Sequence, residues 1–193
     1  MSLRVRILMC DGVEEQDAIG PRDVFGHAVQ AGGQVETTLV RPSAPGEVTC
    51  FFGTRNVVPA AWDPTDADVL IVPGGGDQLI RDPEVHRDLA RAPEAGVTVA
   101  GVRTGVLVLS AAGLTNGRPC TTHHLGKADL AAQGGRVIDA RVVDDGNLVT
   151  AGGVTGGIDL ALWLLTHECG ASVALGIESI MEYEQRGAVW RSS

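Results

Sequence analysis

The chain has 193 residues, of which 44% are apolar and only 4% aromatic, and this predicts an aliphatic core and one domain over residues 1–193. Its 15 Lys and Arg are outnumbered by 24 Asp and Glu, so the net charge of −9 argues against direct binding to nucleic acid. No apolar run reaches the ~20 residues of a membrane span and no apolar leader follows Met1, so we expect a cytoplasmic protein without a membrane contact.

The first half of the chain alternates apolar runs with residues spaced at the helical period. An apolar strand is predicted over residues 4–10, where the run ends at a turn signal. A helical pattern follows over 14–32, closed by two glycines, and a second strand is predicted over 34–41. Two short strands are expected within 49–59.

The second half repeats this alternation and closes on helices. We predict strands over 68–72 and 97–102, a hairpin with Asp-Gly in its turn over 142–150, and helices over 79–92, 106–114, 124–133, 153–169 and 171–183. Strands that are apolar without alternation, and that are separated by helices, are typical of a mainly parallel sheet covered on both faces. The pattern therefore predicts an α/β three-layer sandwich.

Three strand ends carry residues suited to binding or catalysis. The acidic run 12–17 (GVEEQD) follows the first strand, the glycine turn 74–76 follows the strand at 68–72, and Arg103 follows the strand at 97–102. In open α/β sheets ligands collect at the carboxyl ends of the strands, so we expect these segments to share a cleft. Each also has a purely structural interpretation, since acidic residues favour the first turn of a helix and glycines permit tight turns.

The cysteines and histidines show no metal-binding or disulfide pattern. The four cysteines form no C-x-x-C pair and are far apart in the chain, at Cys10, Cys50, Cys120 and Cys169. We expect them to be reduced and mostly buried. His123 and His124 are adjacent but lack a third ligand, so no metal and no other cofactor is expected.

Several short motifs together resemble a known family. In chain order they are GVEEQD, AIGP, DVF, PGGG, VRTG, AAGL, TTHH, DGNLVTAGG and MEY. This series resembles the ThiJ/PfpI superfamily across nearly the whole chain, and within it the isonitrile hydratase branch and the similar amidase-like domains of certain transcriptional regulators. The resemblance implies a flavodoxin-like, class I glutamine-amidotransferase-like fold.

The resemblance also implies a site at the predicted cleft. Members of the family place a nucleophilic cysteine in a strained strand-to-helix turn, the nucleophile elbow. By position, Asp17 is the carboxylate that contacts that thiol, Gly74 and Gly75 supply backbone donors for an oxyanion, and Thr104 follows the elbow residue. His123 matches a histidine that some members carry near the pocket.

Arg103 stands where the family has its cysteine. A guanidinium stays protonated at physiological pH and offers no electron pair, so cysteine-dependent hydratase or hydrolase activity is not expected from this position. Cys10, at the end of the first strand, or Cys120 could approach the cleft. Either thiol would lack the activation that the elbow provides.

Three roles for Arg103 stay open on the sequence. It can pair with Asp17 inside the cleft. It can also bind an anion, together with the glycine-turn amides and the start of the helix after Thr104. Alternatively, its side chain extends into solvent from a degenerate pocket.

We therefore expect a non-catalytic domain that binds a small molecule, in particular an anion, or that has a regulatory role. One alternative is an enzyme of the hydratase or amidase type without a cysteine, in which Asp17 activates water and Arg103 polarises the substrate. The other is a chaperone-like homodimer. The resemblance implies self-association in each case, so a homodimer is expected.

Overall fold

A computed structural model describes residues 2–192. Its strands are β1 (Leu3–Leu8), β2 (Val35–Arg41), β3 (Gly46–Thr49), β4 (Arg55–Val58), β5 (Ala60–Ala61), β6 (Val69–Val72), β7 (Thr98–Val102), β8 (Pro119–Cys120), β9 (Arg136–Val137), β10 (Val142–Asp144), β11 (Leu148–Ala151) and β12 (Trp190–Arg191). Its α-helices are α1 (Glu15–Gln30), α2 (Pro83–Arg91), α3 (Gly105–Ala111), α4 (Lys127–Ala132), α5 (Gly156–Glu168) and α6 (Ala171–Met181). Short 3-10 helices cover Asp77–Arg81, Pro93–Ala95 and His124–Gly126.

The main sheet has eight strands in the order β12-β10-β11-β7-β6-β1-β2-β5. The pairs from β11 through β5 are parallel, and β10 runs antiparallel to β11 in the predicted hairpin. Helices α1, α5 and α6 pack together, while α3 packs against α2 and α4. These two groups flank the sheet, which confirms the α/β three-layer sandwich.

The central strands are apolar throughout because both of their faces are covered. All four residues of β6 are buried, as are four of the five residues of β7. Fully buried aliphatic side chains such as Ile7, Leu70 and Leu160 fill the space between sheet and helices. The absence of alternation in the sequence is therefore the direct result of a parallel sheet with two covered faces.

The structure differs from the predicted elements at a few places with clear local causes. The helix predicted over 79–92 is divided, because Asp82 accepts hydrogen bonds from the amides of Glu84 and Val85 and Pro83 takes the first position of α2. Only Lys127–Ala132 of the helix predicted over 124–133 is α-helical. Strand β12 was not anticipated by the pattern, since it spans two residues.

Three adjacent strands, β7, β6 and β1, bring the candidate segments to one edge of the sheet. Residues that follow parallel neighbouring strands meet at their carboxyl ends. The glycine turn and the acidic run are joined directly, because Val13 and Gly75 form a β-bridge and the Glu14 amide donates to the Gly74 carbonyl at 2.9 Å. Among residues 2–192, no helix has both the length and the apolar character needed to cross a bilayer.

Candidate functional site

Arg103 lies in a strained turn between β7 and α3. Its φ of +54° is in the left-handed region, which among the described non-glycine residues is shared only with Glu182. This conformation costs an L-residue roughly 1–2 kcal/mol. Two hydrogen bonds hold it: the Arg103 amide donates to the Ala151 carbonyl at 2.9 Å, and the Thr122 hydroxyl donates to the Arg103 carbonyl at 2.6 Å. The turn has the backbone of an elbow, with an arginine as its corner residue.

The helix after the turn starts close against the neighbouring strand. A Cβ atom at Gly105 would lie 2.1 Å from the Val72 carbonyl oxygen, so only glycine fits there. This close approach sets the direction of α3 and aims the Arg103 side chain at the segment that follows β1. The glycine of the VRTG motif is thus a requirement of the turn.

Arg103 forms the predicted ion pair with Asp17. The Arg103 Nε–Asp17 Oδ2 distance is 2.7 Å. The Asp17 side chain is completely buried, whereas that of Arg103 is 19% exposed. One edge of the guanidinium therefore binds a buried carboxylate while the other part reaches the protein surface.

The Asp17 carboxyl is an unusual acid. Burial raises its pKa from 3.8 to about 7, although the hydrogen bond and the charge of Arg103 act to lower it. The charge of the nearby Glu14 carboxylate adds to the increase, and Glu14 Oε2 also accepts the Asp17 amide proton at 2.9 Å. The second carboxyl oxygen, Oδ1, is buried and has no hydrogen-bond partner within residues 2–192. Asp17 can therefore hold a proton near neutral pH.

The two glycines of the turn are tied to other members of the site. The Gly74 amide donates to Asp17 Oδ2 at 3.2 Å, and the Gly75 amide donates to Thr104 Oγ1 at 3.1 Å. A Cβ at position 74 would lie 2.4 Å from the same Asp17 oxygen. The expected role of both amides as anion donors stays a prediction, because a ligand would have to displace these internal bonds.

A surface cleft of about 530 Å³ opens beside Arg103. Its lining consists of Gly12, Glu14, Phe51, Phe52, Gly75, Gly76, Asp77, Gln78, Arg103, Thr104 and Val154. Among the described residues, the Arg103 side chain makes its hydrogen bond through Nε, and this leaves the Nη groups available to a molecule in the cleft. The other charged lining residues, Glu14 and Asp77, are acidic, so Arg103 supplies the positive charge of this site.

Two phenylalanines form an apolar rim that the sequence reasoning missed. Phe51 and Phe52 are 66% and 75% exposed, and their rings meet edge to face at 5.0 Å. The turn that carries them is bound to the acidic run, since the Phe51 amide donates to the Val13 carbonyl and the Phe52 amide to Glu15. Two of the three phenylalanines of an aromatic-poor chain stand side by side here, and that was the available signal.

His123 lies near Arg103 but outside the residues that line the cleft. Its Nδ1 accepts the Leu125 amide proton at 3.4 Å, at the start of a 3-10 helix. Burial lowers its pKa, and the positive charges of His124 and Arg103 add to this effect. The neutral imidazole is therefore favoured, and its placement beside the pocket rather than in it limits any direct role.

No thiol lies among the described residues that line the cleft. Cys10 lies under the glycine turn, where a Cβ at Gly76 would come within 2.2 Å of its Sγ. Burial raises the pKa of Cys10 to about 12 and that of Cys120 to about 11. Both thiols are thus held in the protonated, unreactive form.

An α/β sandwich with a strand-to-helix elbow and a facing carboxylate defines a protein of the amidotransferase-like class. The DJ-1/PfpI family model matches residues 3–167, and the chain belongs to this family, also called ThiJ/PfpI. The chain is 35% identical over 187 residues to an isonitrile hydratase of Pseudomonas putida, covering 95% of this chain and 79% of that protein. It is 31% identical over 159 residues to a deglycase of Thermococcus kodakarensis, covering 77% and 89% respectively.

Solved structures agree with this assignment. A ThiJ/PfpI family protein from Pseudomonas syringae superposes with a TM-score of 0.86 at 29% identity, covering 97% of this chain and 77% of its own. Drosophila melanogaster DJ-1beta superposes with a TM-score of 0.84 at 23% identity, covering 95% and 100%, and it supports the fold alone.

Proposed function

We propose that this protein is a pseudoenzyme of the DJ-1/PfpI family that binds a small carboxylate through Arg103. One observation carries the proposal: the elbow residue is an arginine whose Nε is paired with a buried carboxylate at 2.7 Å, while the residue lines an open cleft and its Nη groups make no hydrogen bond within residues 2–192. A guanidinium held in this way presents two parallel N–H groups to a planar carboxylate. Arg103 stands at the position of the family's cysteine, and in this proposal it binds a carboxylate there in place of thiol catalysis.

The charges around the cleft restrict the ligand. Arg103 is the only cation in the described lining, and Glu14 and Asp77 stand on the same surface. A monoanion can use the arginine without close contact to both acids, whereas a phosphate or a dicarboxylate would meet repulsion. Phe51 and Phe52 add exposed apolar surface at the rim of the cleft.

A titration followed by NMR tests this proposal. The Arg103 Nε–Hε resonance is expected to shift when propionate is added, and Arg103→Gln is expected to bind at least tenfold more weakly. Arg87→Gln serves as the matched control, because Arg87 is 73% exposed and lies on α2 away from the cleft. Equal affinity in both variants, or no shift at Arg103 at any concentration, would overturn the proposal.

A second function is suggested by the raised pKa of Asp17. Its raised pKa, about 7, and the unpartnered Oδ1 fit a general acid that protonates the terminal carbon of an isonitrile; because Asp17 is fully buried and outside the cleft lining, the substrate would have to enter beside Arg103 to reach it. Water then adds to that carbon and loses a proton, which restores the acid, and the resulting R–N=CH–OH tautomerises to the formamide R–NH–CHO, so that R–NC and H₂O give R–NH–CHO. Arg103 would polarise the substrate.

Formamide production by the purified protein separates the two functions. Turnover by the natural sequence that is lost in Asp17→Asn would establish the enzyme. Turnover that appears only in Arg103→Cys would identify a disabled hydratase and support the binding function. No turnover in either protein would rule out the hydratase alternative and leave the binding function to the titration.

We further infer a cytoplasmic homodimer that does not contact nucleic acid, from the family resemblance and the net charge of −9. A chaperone-like role for that dimer stays the alternative function. Light scattering should give twice the 20.1 kDa chain mass, and a monomer at micromolar concentration would refute the dimer.

A further inference from the structure

A second cavity of about 320 Å³ adjoins the cleft and shares two of its lining residues, Asp77 and Thr104. The remaining lining of this cavity is Ile80, Arg81, Leu107, Leu125, Gly126 and Asp129. Thr104 follows Arg103 in the chain, so the two cavities meet at the residue next to Arg103.

Three large apolar side chains in the lining of the second cavity come from three separate segments. The 3-10 helix Asp77–Arg81 brings Ile80, α3 brings Leu107, and the 3-10 helix His124–Gly126 brings Leu125. Leu125 is 77% exposed, the most exposed of the large hydrophobic side chains in residues 2–192. A ligand that covers this exposed leucine and the neighbouring apolar side chains removes their surface from water, which stabilises the complex.

These walls are attached to the elbow. The Thr122 hydroxyl, which precedes the Leu125 segment, donates to the Arg103 carbonyl at 2.6 Å. On the other side, Gln78 Nε2 donates to the Asp11 carbonyl at 2.6 Å and ties the 3-10 helix to the end of β1. These hydrogen bonds connect the Leu125 segment to the elbow backbone and the 3-10 helix to the loop after β1.

We propose that the ligand is a monocarboxylate with an aliphatic arm, whose carboxylate binds Arg103 and whose arm crosses Thr104 to lie against Ile80, Leu107 and Leu125. This inference rests on the proposed function, because it assigns the remainder of the same ligand. A second carboxylate at the end of the arm is rejected by Asp77 and Asp129, which outnumber Arg81 at that cavity.

A chain-length series tests the arm. Propionate, pentanoate, hexanoate and heptanoate are titrated by NMR, with Arg103 Nε–Hε reporting the head and the methyl groups of Ile80 and Leu125 reporting the arm. Each methylene that enters the second cavity is expected to tighten binding about two- to fourfold. Pimelate, the dicarboxylate matched to heptanoate, is expected to bind at least tenfold more weakly than heptanoate.

The matched variants are Leu125→Ser and Leu175→Ser. Both leucines are largely exposed, at 77% and 64%, and Leu175 lies on α6, outside both cavities. Leu125→Ser is expected to flatten the chain-length dependence, whereas Leu175→Ser should behave as the natural sequence.

The outcomes separate the two proposals. If propionate shifts Arg103 but added methylenes do not tighten binding, the arm proposal is refuted and the head-group site stands. The same holds if added methylenes tighten binding equally in Leu125→Ser. A gain from added methylenes with methyl shifts only at residues outside the second cavity would also overturn the arm proposal. No shift at Arg103 with any acid would overturn both.

Discussion

Replacing Arg103 by alanine should destabilise the protein in a way that depends on pH. The substitution removes the hydrogen bond and the charge that lower the pKa of Asp17, whose side chain is fully buried. The carboxyl responds by keeping its proton to higher pH, because an unpaired buried carboxylate is costly. The free energy of unfolding should therefore fall most where the natural protein ionises Asp17 and the variant does not.

The size of the effect follows from linkage. The folded-state pKa of Asp17, about 7, lies above its ordinary value of 3.8, so this group lowers stability as the pH rises from 3.8 to about 7 and adds no further loss above that. In Arg103→Ala the pKa is higher still, and the loss continues above pH 7 by about 1.4 kcal/mol per pH unit. The difference between the two proteins should be small at pH 6 and reach about 3 kcal/mol near pH 9.

Chemical denaturation at pH 6, 7, 8 and 9 measures this difference. The control is the same substitution in an Asp17→Asn background, where no carboxyl is present to titrate and the pH-dependent part should disappear. A difference that is constant from pH 6 to pH 9, or a pH dependence that persists in the Asp17→Asn background, would refute the coupling between these two residues.

Three further outcomes follow from the local geometry. Arg103→Gly should be more stable than Arg103→Ala by about 1 kcal/mol at pH 6 in urea denaturation, because glycine adopts the +54° φ without strain; equal stability would contradict the strained turn. Gly74→Ala should lower the melting temperature and reduce the free energy of unfolding by about 1–3 kcal/mol, because its Cβ would lie 2.4 Å from an Asp17 oxygen. Gly26→Ala, whose Cβ would meet open space, serves as the control and should show no such loss. Cys10 should resist iodoacetamide at pH 8 in the native protein and react once the protein is unfolded, because burial raises its pKa to about 12. Equal labelling rates for native and unfolded protein, measured by mass spectrometry, would contradict its burial.

The layered fold was predictable because the burial of the strands is visible in their composition. Runs such as VLIV in β6 have no polar face, and only a sheet covered on both sides accommodates them. The ends of the helices and strands were harder to predict from the sequence. The division at Pro83 depends on Asp82 taking the capping position, and the two-residue β12 depends on pairing with β10 from far along the chain.

The location of the site was predictable for a topological reason, whereas its contacts were not. Asp17 and Arg103 follow β1 and β7, which flank β6, so their meeting at one sheet edge follows from strand order. The Phe51–Phe52 rim comes from the separate β3–β4 hairpin, whose position over the cleft no periodicity reveals. The Gly75–Thr104 hydrogen bond likewise depends on side-chain geometry that appears only in the folded protein.

A crystal structure of the protein grown with hexanoate would decide whether Arg103 is a ligand-binding residue. We expect the carboxylate within hydrogen-bond distance of the Arg103 Nη groups, the Arg103 Nε–Asp17 pair intact near 2.7 Å, and the alkyl chain against Leu107 and Leu125. Hexanoate bound elsewhere, or an Arg103 side chain turned away from an occupied cleft, would contradict the proposal that Arg103 binds a carboxylate ligand at the elbow.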